Sequence, residues 1–233
     1  MYHPFSVTET LNIAWQIFKK NFATIAVYGL VAVVLVGVVG FVVEFFIVDI
    51  ILEWIAVFIL LLTYSFAYLG FVKLIFLFID KEYYEFEFRD IIPPLKTLGS
   101  YLVLLILVST FGVFATKYID NLDEGLLQTI LKGISAVGFV SFIVFFLPIA
   151  ACFIVDDKSG PFESVIQSFQ LVKGNVLKYF LLFLVIEGMV FIAALTILGM
   201  VFVVPFVDIL LVVAYRKLVY SHIDADDEIA ETV

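Results

Sequence analysis

Long uninterrupted apolar stretches recur along the whole chain and constrain its fold more than any other feature. Each is about 20 residues long, which as a helix crosses a hydrocarbon core about 30 Å thick. Of the 233 residues, 64% are hydrophobic and 15% are charged, whereas an average soluble domain has roughly 45–50% and about 25%. Because such a chain cannot cover itself with polar groups, we expect lipid to be its main solvent.

The apolar stretches favour helices over the strands of a barrel. A lipid-exposed backbone must satisfy its hydrogen bonds within one segment or by closing a barrel. Barrel strands alternate apolar and polar residues, and runs such as 31–43 and 176–186 do not alternate. The sequence therefore predicts an all-α integral membrane protein.

The apolar blocks divide into six predicted transmembrane helices. We place them near residues 22–43, 54–79, 97–117, 133–155, 176–198 and 200–220. The last two form one run of about 45 residues, which is twice a bilayer crossing. The interruption at Gly199 is the predicted turn between them.

The distribution of basic residues predicts the orientation of the spans, since Lys and Arg accumulate in short cytoplasmic segments. With six spans, one side receives only Lys117 and Lys132. The other side receives Lys19, Lys20, Lys73, Lys81, Arg89, Lys96, Lys158, Lys173, Lys178, Arg216 and Lys217. We therefore expect a protein of the cytoplasmic (cell) membrane with both termini in the cytoplasm. Lys73, Arg216 and Lys217 lie near span ends, where long side chains are expected to reach the interface.

The net charge of −9 arises largely outside the spans. Acidic residues occupy the predicted outer connections (Glu44, Asp49, Glu53, Asp120, Asp123 and Glu124) and an acidic cytoplasmic tail at 224–233. Without a basic stripe to neutralise phosphates, nucleic acid is not an expected partner. The expected partners are membrane lipids, and a protein partner or a second copy of the chain remains open.

The usual sequence patterns of catalytic and metal sites are not found. Cys152 is the single cysteine, and His3 and His222 are far apart in the chain. No HExxH, CxxC, GxSxG or phosphate-binding glycine loop occurs. We therefore predict no catalytic residue, no cofactor and no metal, and expect the protein not to be an enzyme.

An internal repeat divides the chain. Residues 9–21 (ETLNIAWQIFKKN) align with residues 163–175 (ESVIQSFQLVKGN), with matching Glu, Gln, Lys and Asn positions. Lys73 and Asp80 correspond in spacing to Lys217 and Asp224. A middle copy beginning near Phe86 fits the same plan with weaker matches. We predict three tandem hairpins in one membrane domain, with units near 5–82, 83–158 and 159–226.

Each hairpin is expected to follow an amphipathic helix at the membrane interface. In the first unit Leu11, Trp15 and Phe18 share one helical face, and Asn12 and Gln16 lie on the other. Such a helix suits the boundary between headgroups and acyl chains. A structural elbow packed against neighbouring spans is the alternative interpretation.

The motifs TETLNIAWQIFKKNF, DDKSGPFESVIQSFQLVKGN and VVPFVDILLVVAYRKL together resemble a known family. They are similar to the YciC-like membrane proteins of unknown function, which are related to the membrane region of some bacterial glycerophosphodiester phosphodiesterases. The resemblance extends over most of the chain and implies six helices in a prokaryotic membrane. It implies no catalytic residues, because the phosphodiesterase domain has no counterpart in these residues.

Two acidic residues fall within the predicted spans. Glu187 lies 12 residues before Gly199 and Asp208 lies 9 residues after it, so both are expected near the bilayer midplane. Charged groups at that depth are costly and are often functional. We hypothesise a candidate intramembrane polar site of Glu187, Asp208 and Lys73, linked to a proton or cation. The alternative is structural: two protonated acids that join the helices, or an acid paired with Lys73.

These features leave three functional hypotheses. The first is a transporter-like or lipid-handling protein with a midplane carboxylate pair, since repeated hairpins with polar midplane groups occur in secondary transporters. The second is a non-transporting membrane scaffold or accessory subunit. An intramembrane enzyme acting on lipid is the third, and it lacks a recognisable nucleophile or metal set.

Overall fold

The computed structural model describes residues 5–46, 50–80, 87–122 and 125–231, which form helices and no strands. Their ten helices are α1 (Val7–Lys20), α2 (Phe22–Phe46), α3 (Ile50–Asp80), α4 (Phe88–Ile91), α5 (Leu95–Asp120), α6 (Leu126–Phe145), α7 (Leu147–Asp156), α8 (Pro161–Lys173), α9 (Val176–Ala193) and α10 (Ile197–Glu231). His3, Asp49, Lys81, Phe86, Asp123, Glu124 and the last tail residues, 232–233, lie outside the described residues.

Six segments are long and apolar enough to cross a membrane, which confirms the prediction of an all-α polytopic membrane protein. They are Phe22–Phe45, Ile51–Asp80, Phe88–Asp120, Leu126–Asp156, Val176–Ala193 and Gly199–Tyr220. The fourth contains two helices, α6 and α7, which meet at Phe146. Pro148 explains the break, because its ring nitrogen cannot donate the hydrogen bond that would continue α6.

The turn between the last two spans precedes the predicted position. Helix α9 ends at Ala193 and α10 begins at Ile197, so the chain reverses at residues 194–196. The Gly199 N–H donates a hydrogen bond of 3.0 Å to Thr196 Oγ1 in the first turn of α10. A Cβ atom at Gly199 would lie 2.7 Å from the Ala193 carbonyl oxygen. Gly199 is therefore needed for the close approach of two helices rather than for the turn itself.

Successive spans pack as hairpins, and the second span of each hairpin also reaches the centre of the molecule. In the middle hairpin this span consists of α6 and α7, and α7 is its central part. Helix α2 packs on α3, α5 on α6, and α9 on α10, while α3, α7 and α10 contact one another. Residues 149–154 of α7 and 209–215 of α10 are buried without interruption. A helix buried all round its axis is surrounded by protein. The common core of the three hairpins therefore lies in this half of the spans.

We call the opposite half the loop end because α2 gives way to α3 there, α5 to α6, and α9 to α10. Few of the described residues in this half are buried. In this half small residues let each hairpin close on itself. A Cβ atom at Gly40 would lie 3.7 Å from Leu60, and one at Gly112 would lie 2.8 Å from Phe139. The outward faces are apolar and exposed, as at Val33 and Phe41 of α2. Such surfaces fit contact with lipid acyl chains.

Three helices precede the hairpins, and we call α1, α4 and α8 the lead helices and their side of the molecule the lead end. Helix α1 packs on α10, α4 on α3, and α8 on α7. The first of these contacts joins the two ends of the chain and closes a ring of hairpins. Phe18 and Phe206 take part in it at 5.7 Å between ring centroids. The middle lead helix has a single turn because Pro93 and Pro94 end it.

Lys73 and Lys217, which the sequence repeat aligned, have corresponding contacts. Lys73 Nζ on α3 donates a hydrogen bond of 2.8 Å to the carbonyl oxygen of Ile92, just after α4. Lys217 Nζ on α10 lies 2.6 Å from Glu9 Oε1 in the first turn of α1. Each lysine thus attaches a lead helix to a central helix. The boundaries of the repeat units stay a prediction.

Helix α8 presents its apolar side outward and its small polar residues inward. Ser164 and Ser168 are buried, and the Ser168 hydroxyl donates a 2.6 Å hydrogen bond to the Ser164 carbonyl oxygen. Phe162 and Ile166 are exposed. This inversion of the pattern of a water-facing helix fits a position where lipid covers the outer face.

Arg216 joins the three central helices at the lead end. Its Nη2 lies 2.7 Å from Asp80 Oδ2, at the end of α3, and its Nη1 lies 2.8 Å from Asp156 Oδ2, at the end of α7. The guanidinium also lies over the Phe76 ring, 4.5 Å from its centroid. The Tyr215 hydroxyl donates a hydrogen bond of 3.1 Å to Asp156 Oδ2, which is the third side-chain hydrogen bond of this group. We call these residues the Arg216 cluster.

Arg216, Lys217 and Lys73 make contacts that the sequence alone did not predict. We expected these side chains to extend toward the interface, and in the structure all three bind protein groups.

Asp157, next to the cluster, forms no ion pair in the described part of the chain. Partial burial, and then the charge of Asp156, raises the pKa of its carboxyl group.

We predict that Arg216→Met lowers the free energy of unfolding by about 2–3 kcal/mol, because it removes two charge-assisted hydrogen bonds and leaves Asp156 with the Tyr215 hydroxyl alone. Most of this effect should come from Asp156, whose side chain is 24% exposed, because solvent screens the 43% exposed Asp80 more strongly. Reversible unfolding in mixed detergent micelles measures the change. Lys96→Met removes an exposed charge at the same end and should change stability by less than about 0.5 kcal/mol. Equal effects of the two substitutions would contradict the role given to Arg216.

Candidate functional site

Asp208 lies where the common core of the hairpins begins. It is half-buried in α10, and the uninterrupted buried stretch starts at the next residue, Ile209. Pro205, one turn earlier, lies inside the helix and cannot donate to the carbonyl oxygen of Val201. In the span Gly199–Tyr220, Asp208 is close to the middle. The structure thus places a carboxyl group deep in the bundle, at the level where the hairpins begin to separate.

Three tyrosines from two other helices face this region. Tyr64 and Tyr68 lie one turn apart on α3, with their rings nearly parallel and centroids 6.0 Å apart. Tyr68 in turn stacks on Tyr101 of α5 at 5.7 Å. Asp208 lies within electrostatic range of all three. We call Tyr64, Tyr68 and Tyr101 the tyrosine wall.

The tyrosine wall runs from an accessible surface into the core. Tyr64 is 50% exposed, Tyr68 is half-buried and Tyr101 is 1% exposed. Asp208 is surrounded by protein but is not sealed, since part of its surface remains accessible. Asp208 and Tyr64 thus both retain accessible surface at this level of the bundle.

No hydrogen bond or ion pair engages Asp208 within the described ranges. Among the described residues, Arg216 Nε is the only fully buried side-chain N or O atom without a hydrogen-bond partner. The carboxyl oxygens of Asp208 are therefore not fully buried. A carboxyl group in a low-dielectric region is costly unless it is paired or hydrogen-bonded. The partner of Asp208 is therefore to be sought outside the described protein groups.

The other two residues of the predicted site lie elsewhere. Glu187 is exposed on α9, beside the buried Ile186, and so points to the outer surface of the bundle. Lys73 binds the Ile92 carbonyl oxygen, toward the lead end. The structure brings Asp208 together with the tyrosine wall, and it places Glu187 and Lys73 in other surroundings. The joint site of the three residues stays a prediction.

The tyrosine wall was not predicted from the sequence, although a signal was present. Thr63, Tyr64, Ser65 and Tyr68 place four hydroxyl groups within six residues of an otherwise apolar span. Tyr64 and Tyr68 are four residues apart, which puts both rings on one helical face. Hydroxyl-bearing residues in mid-span thus identify a polar face that a search for charged residues overlooks.

The side chains around Asp208 offer polar and aromatic groups for contact with a ligand. Within residues 5–46, 50–80, 87–122 and 125–231, no group of three His, Cys, Asp or Glu side chains is placed to hold a metal ion. The groups that do converge are one carboxyl group, phenol hydroxyls and aromatic faces. They can bind a hydrogen-bond donor or a positive charge next to an apolar surface.

Comparisons with protein-family models, with curated proteins and with solved structures find no match for this chain. The resemblance to YciC-like membrane proteins therefore stays an expectation from the sequence.

We predict that nitroxide spin labels separate the environments of Glu187 and Asp208. In a Cys152→Ala background, a label at Glu187→Cys should collide with dissolved oxygen as often as one at Leu184→Cys, which lies on the exposed face of α9. A label at Asp208→Cys should collide several-fold less, because protein surrounds that position. Electron paramagnetic resonance power saturation measures the collision rates. Equal rates at positions 187 and 208 would contradict this placement.

Proposed function

We propose that the protein is a transporter-like or lipid-handling membrane protein that binds its ligand between the hairpins, beside Asp208. The observation that supports this most directly is a half-buried, mid-span carboxyl group with no hydrogen bond or ion pair in the described part of the chain. Such a group costs stability unless something pairs with it, so its retention favours a bound partner.

The surroundings of the site favour a ligand that arrives through the bilayer. Tyr64 is accessible at the outer edge of the tyrosine wall, and the α3 residues before it, from Ile51 to Ile59, are largely exposed. Among the described residues, burial is concentrated toward the lead end, and most side chains toward the loop end are exposed. An amphipathic molecule can place its apolar part among these helices and its polar group beside Asp208.

We also propose that the lead end faces the cytoplasm, so that both termini are cytoplasmic and the protein belongs to the cell membrane. Eleven of the 13 Lys and Arg residues fall on that side of the spans. Cytoplasmic lipid headgroups attract such residues. The site beside Asp208 then opens toward the outer half of the bilayer.

Cysteine labelling in spheroplasts of a bacterial host tests this orientation. In a Cys152→Ala background, Asn121→Cys at the loop end should react with a membrane-impermeant maleimide in intact cells, because Asn121 is exposed there. Lys96→Cys at the lead end should react only after the membrane is permeabilised. The reverse pattern would overturn the proposed orientation.

A lipid-retention experiment tests the proposed function. The protein is reconstituted in total bacterial polar lipid, re-purified in a mild neutral detergent and extracted, and its retained lipids are quantified by mass spectrometry. We expect the wild type to retain one lipid class selectively and Asp208→Asn to retain it at least about fivefold less, since a charged hydrogen bond contributes about 1.5–3 kcal/mol. Glu163→Gln, which removes a carboxyl group from α8, serves as the matched control and should retain lipid like the wild type.

Two outcomes decide between the alternatives. If Glu187→Gln lowers retention as much as Asp208→Asn, the carboxylate pair that the sequence suggested is restored. A retained-lipid profile that is unchanged in Asp208→Asn would count against the proposed function. If a stoichiometric protein partner then co-purified with that variant, the membrane scaffold would become the better account. The exposed apolar faces of the hairpins favour that second candidate, because a partner's helices can cover them.

A further inference from the structure

We infer that the group bound beside Asp208 is a cationic headgroup, an amine or a quaternary ammonium, of a lipid or lipid-like molecule. This inference rests on the proposed function and specifies the class of ligand. Three features of the described residues support it: a carboxyl group free of basic neighbours, an aromatic wall, and an acidic approach.

The basic residues of the central helices bind protein groups other than Asp208. Arg216, two helical turns from Asp208 along α10, binds Asp80 and Asp156. Lys73 on α3 donates to the Ile92 carbonyl oxygen. Lys217, also on α10, lies 2.6 Å from Glu9 Oε1. Since all three basic side chains contact other groups, a positive charge on the ligand would complement an ionised Asp208 carboxylate. An anionic headgroup would instead meet a carboxyl group with no basic side chain to offset it.

The tyrosine wall supplies the surface that ammonium groups favour. Cations are attracted to aromatic faces, and quaternary ammonium ligands in particular are recognised by aromatic residues. Tyr64 has half of its surface accessible, and its ring stacks on Tyr68, which lies deeper. An ammonium group beside Asp208 would therefore contact a negative charge and aromatic rings at once, while losing much of its hydration.

The electrostatic field at the loop end favours the approach of cations. Glu44 and Glu53 are exposed at the ends of α2 and α3 that lie there. Of the two basic residues on that side, Lys132 is paired with Asp120 at 2.8 Å. The second, Lys117, is exposed, and Glu44 and Glu53 outnumber it. A surface with a net negative charge raises the local concentration of cationic ligands. The approach and the site thus select for the same charge.

The length of the exposed apolar surface points to a lipid rather than to a small free amine. Ile55 and Phe58, on α3 before Tyr64, are about half exposed. From Tyr64 to Ile51 the helix extends 13 residues, or about 20 Å, which is comparable to an acyl chain in one leaflet. A headgroup beside Asp208 can therefore have its hydrocarbon chains along this surface of α3.

Native mass spectrometry of the full-length protein in neutral detergent tests this inference with four dioleoyl lipids. They carry a trimethylammonium, a phosphoethanolamine, a hydroxyl (diacylglycerol) or a phosphoglycerol headgroup. We expect the trimethylammonium lipid to bind the wild type about tenfold more tightly than diacylglycerol, and the phosphoglycerol lipid to bind most weakly. This preference should fall to within about twofold in Asp208→Asn and persist in Asp208→Glu. Glu163→Gln is again the control and should keep the full preference.

The outcomes separate this inference from the proposed function. If diacylglycerol or the phosphoglycerol lipid binds as tightly as the cationic lipid, and binding still depends on Asp208, the cationic preference is wrong while the binding site stands. If no lipid binds in an Asp208-dependent way, both proposals fail. Should Asp208→Asn not fold, Tyr64→Leu at the accessible edge replaces it. We then expect the cationic preference to fall by at least about threefold, and an unchanged preference in that variant would overturn the inference.

Discussion

The rest of the fold depends on the contact of Arg216 with Asp80 and Asp156. These carboxylates are the last residues of α3 and α7, and the arginine belongs to α10, so one guanidinium connects the three central helices. In a bilayer, helices gain little from the hydrophobic effect when they associate, and specific polar contacts and close packing have to supply the difference. The cluster connects the hairpins at the lead end, next to the buried stretches of α7 and α10.

This arrangement gives the two halves of the molecule different tasks. Toward the lead end, the central helices are buried on all sides and the lead helices close the ring around them. At the loop end each hairpin closes on itself, and the hairpins need not meet. Asp208 lies at the level where the buried core of the lead end gives way to the separate hairpins of the loop end, with the tyrosine wall beside it. A polar group there can be reached from the bilayer and still be held by a rigid core.

The sequence predicted the spans well because length and hydropathy alone determine whether a helix can cross a bilayer. It placed Glu187 and Asp208 at similar depths but could not tell which of them faces inward. Helices α9 and α10 are apolar nearly all round in this region, so their sequences contain little information about rotation. Packing decides that rotation. The same limitation hid Tyr101, since its approach to Tyr68 depends on how α5 meets α3.

The most direct test of the account is an experimental structure of the protein in nanodiscs of native-like lipid. The account predicts non-protein density in the space bounded by Asp208 and Tyr64, continuous with the acyl chains along α3, and an intact Arg216 cluster below it. Protein side chains that close around Asp208 and hydrogen-bond both of its carboxyl oxygens would contradict the account, because the carboxyl group would then be a structural link between helices.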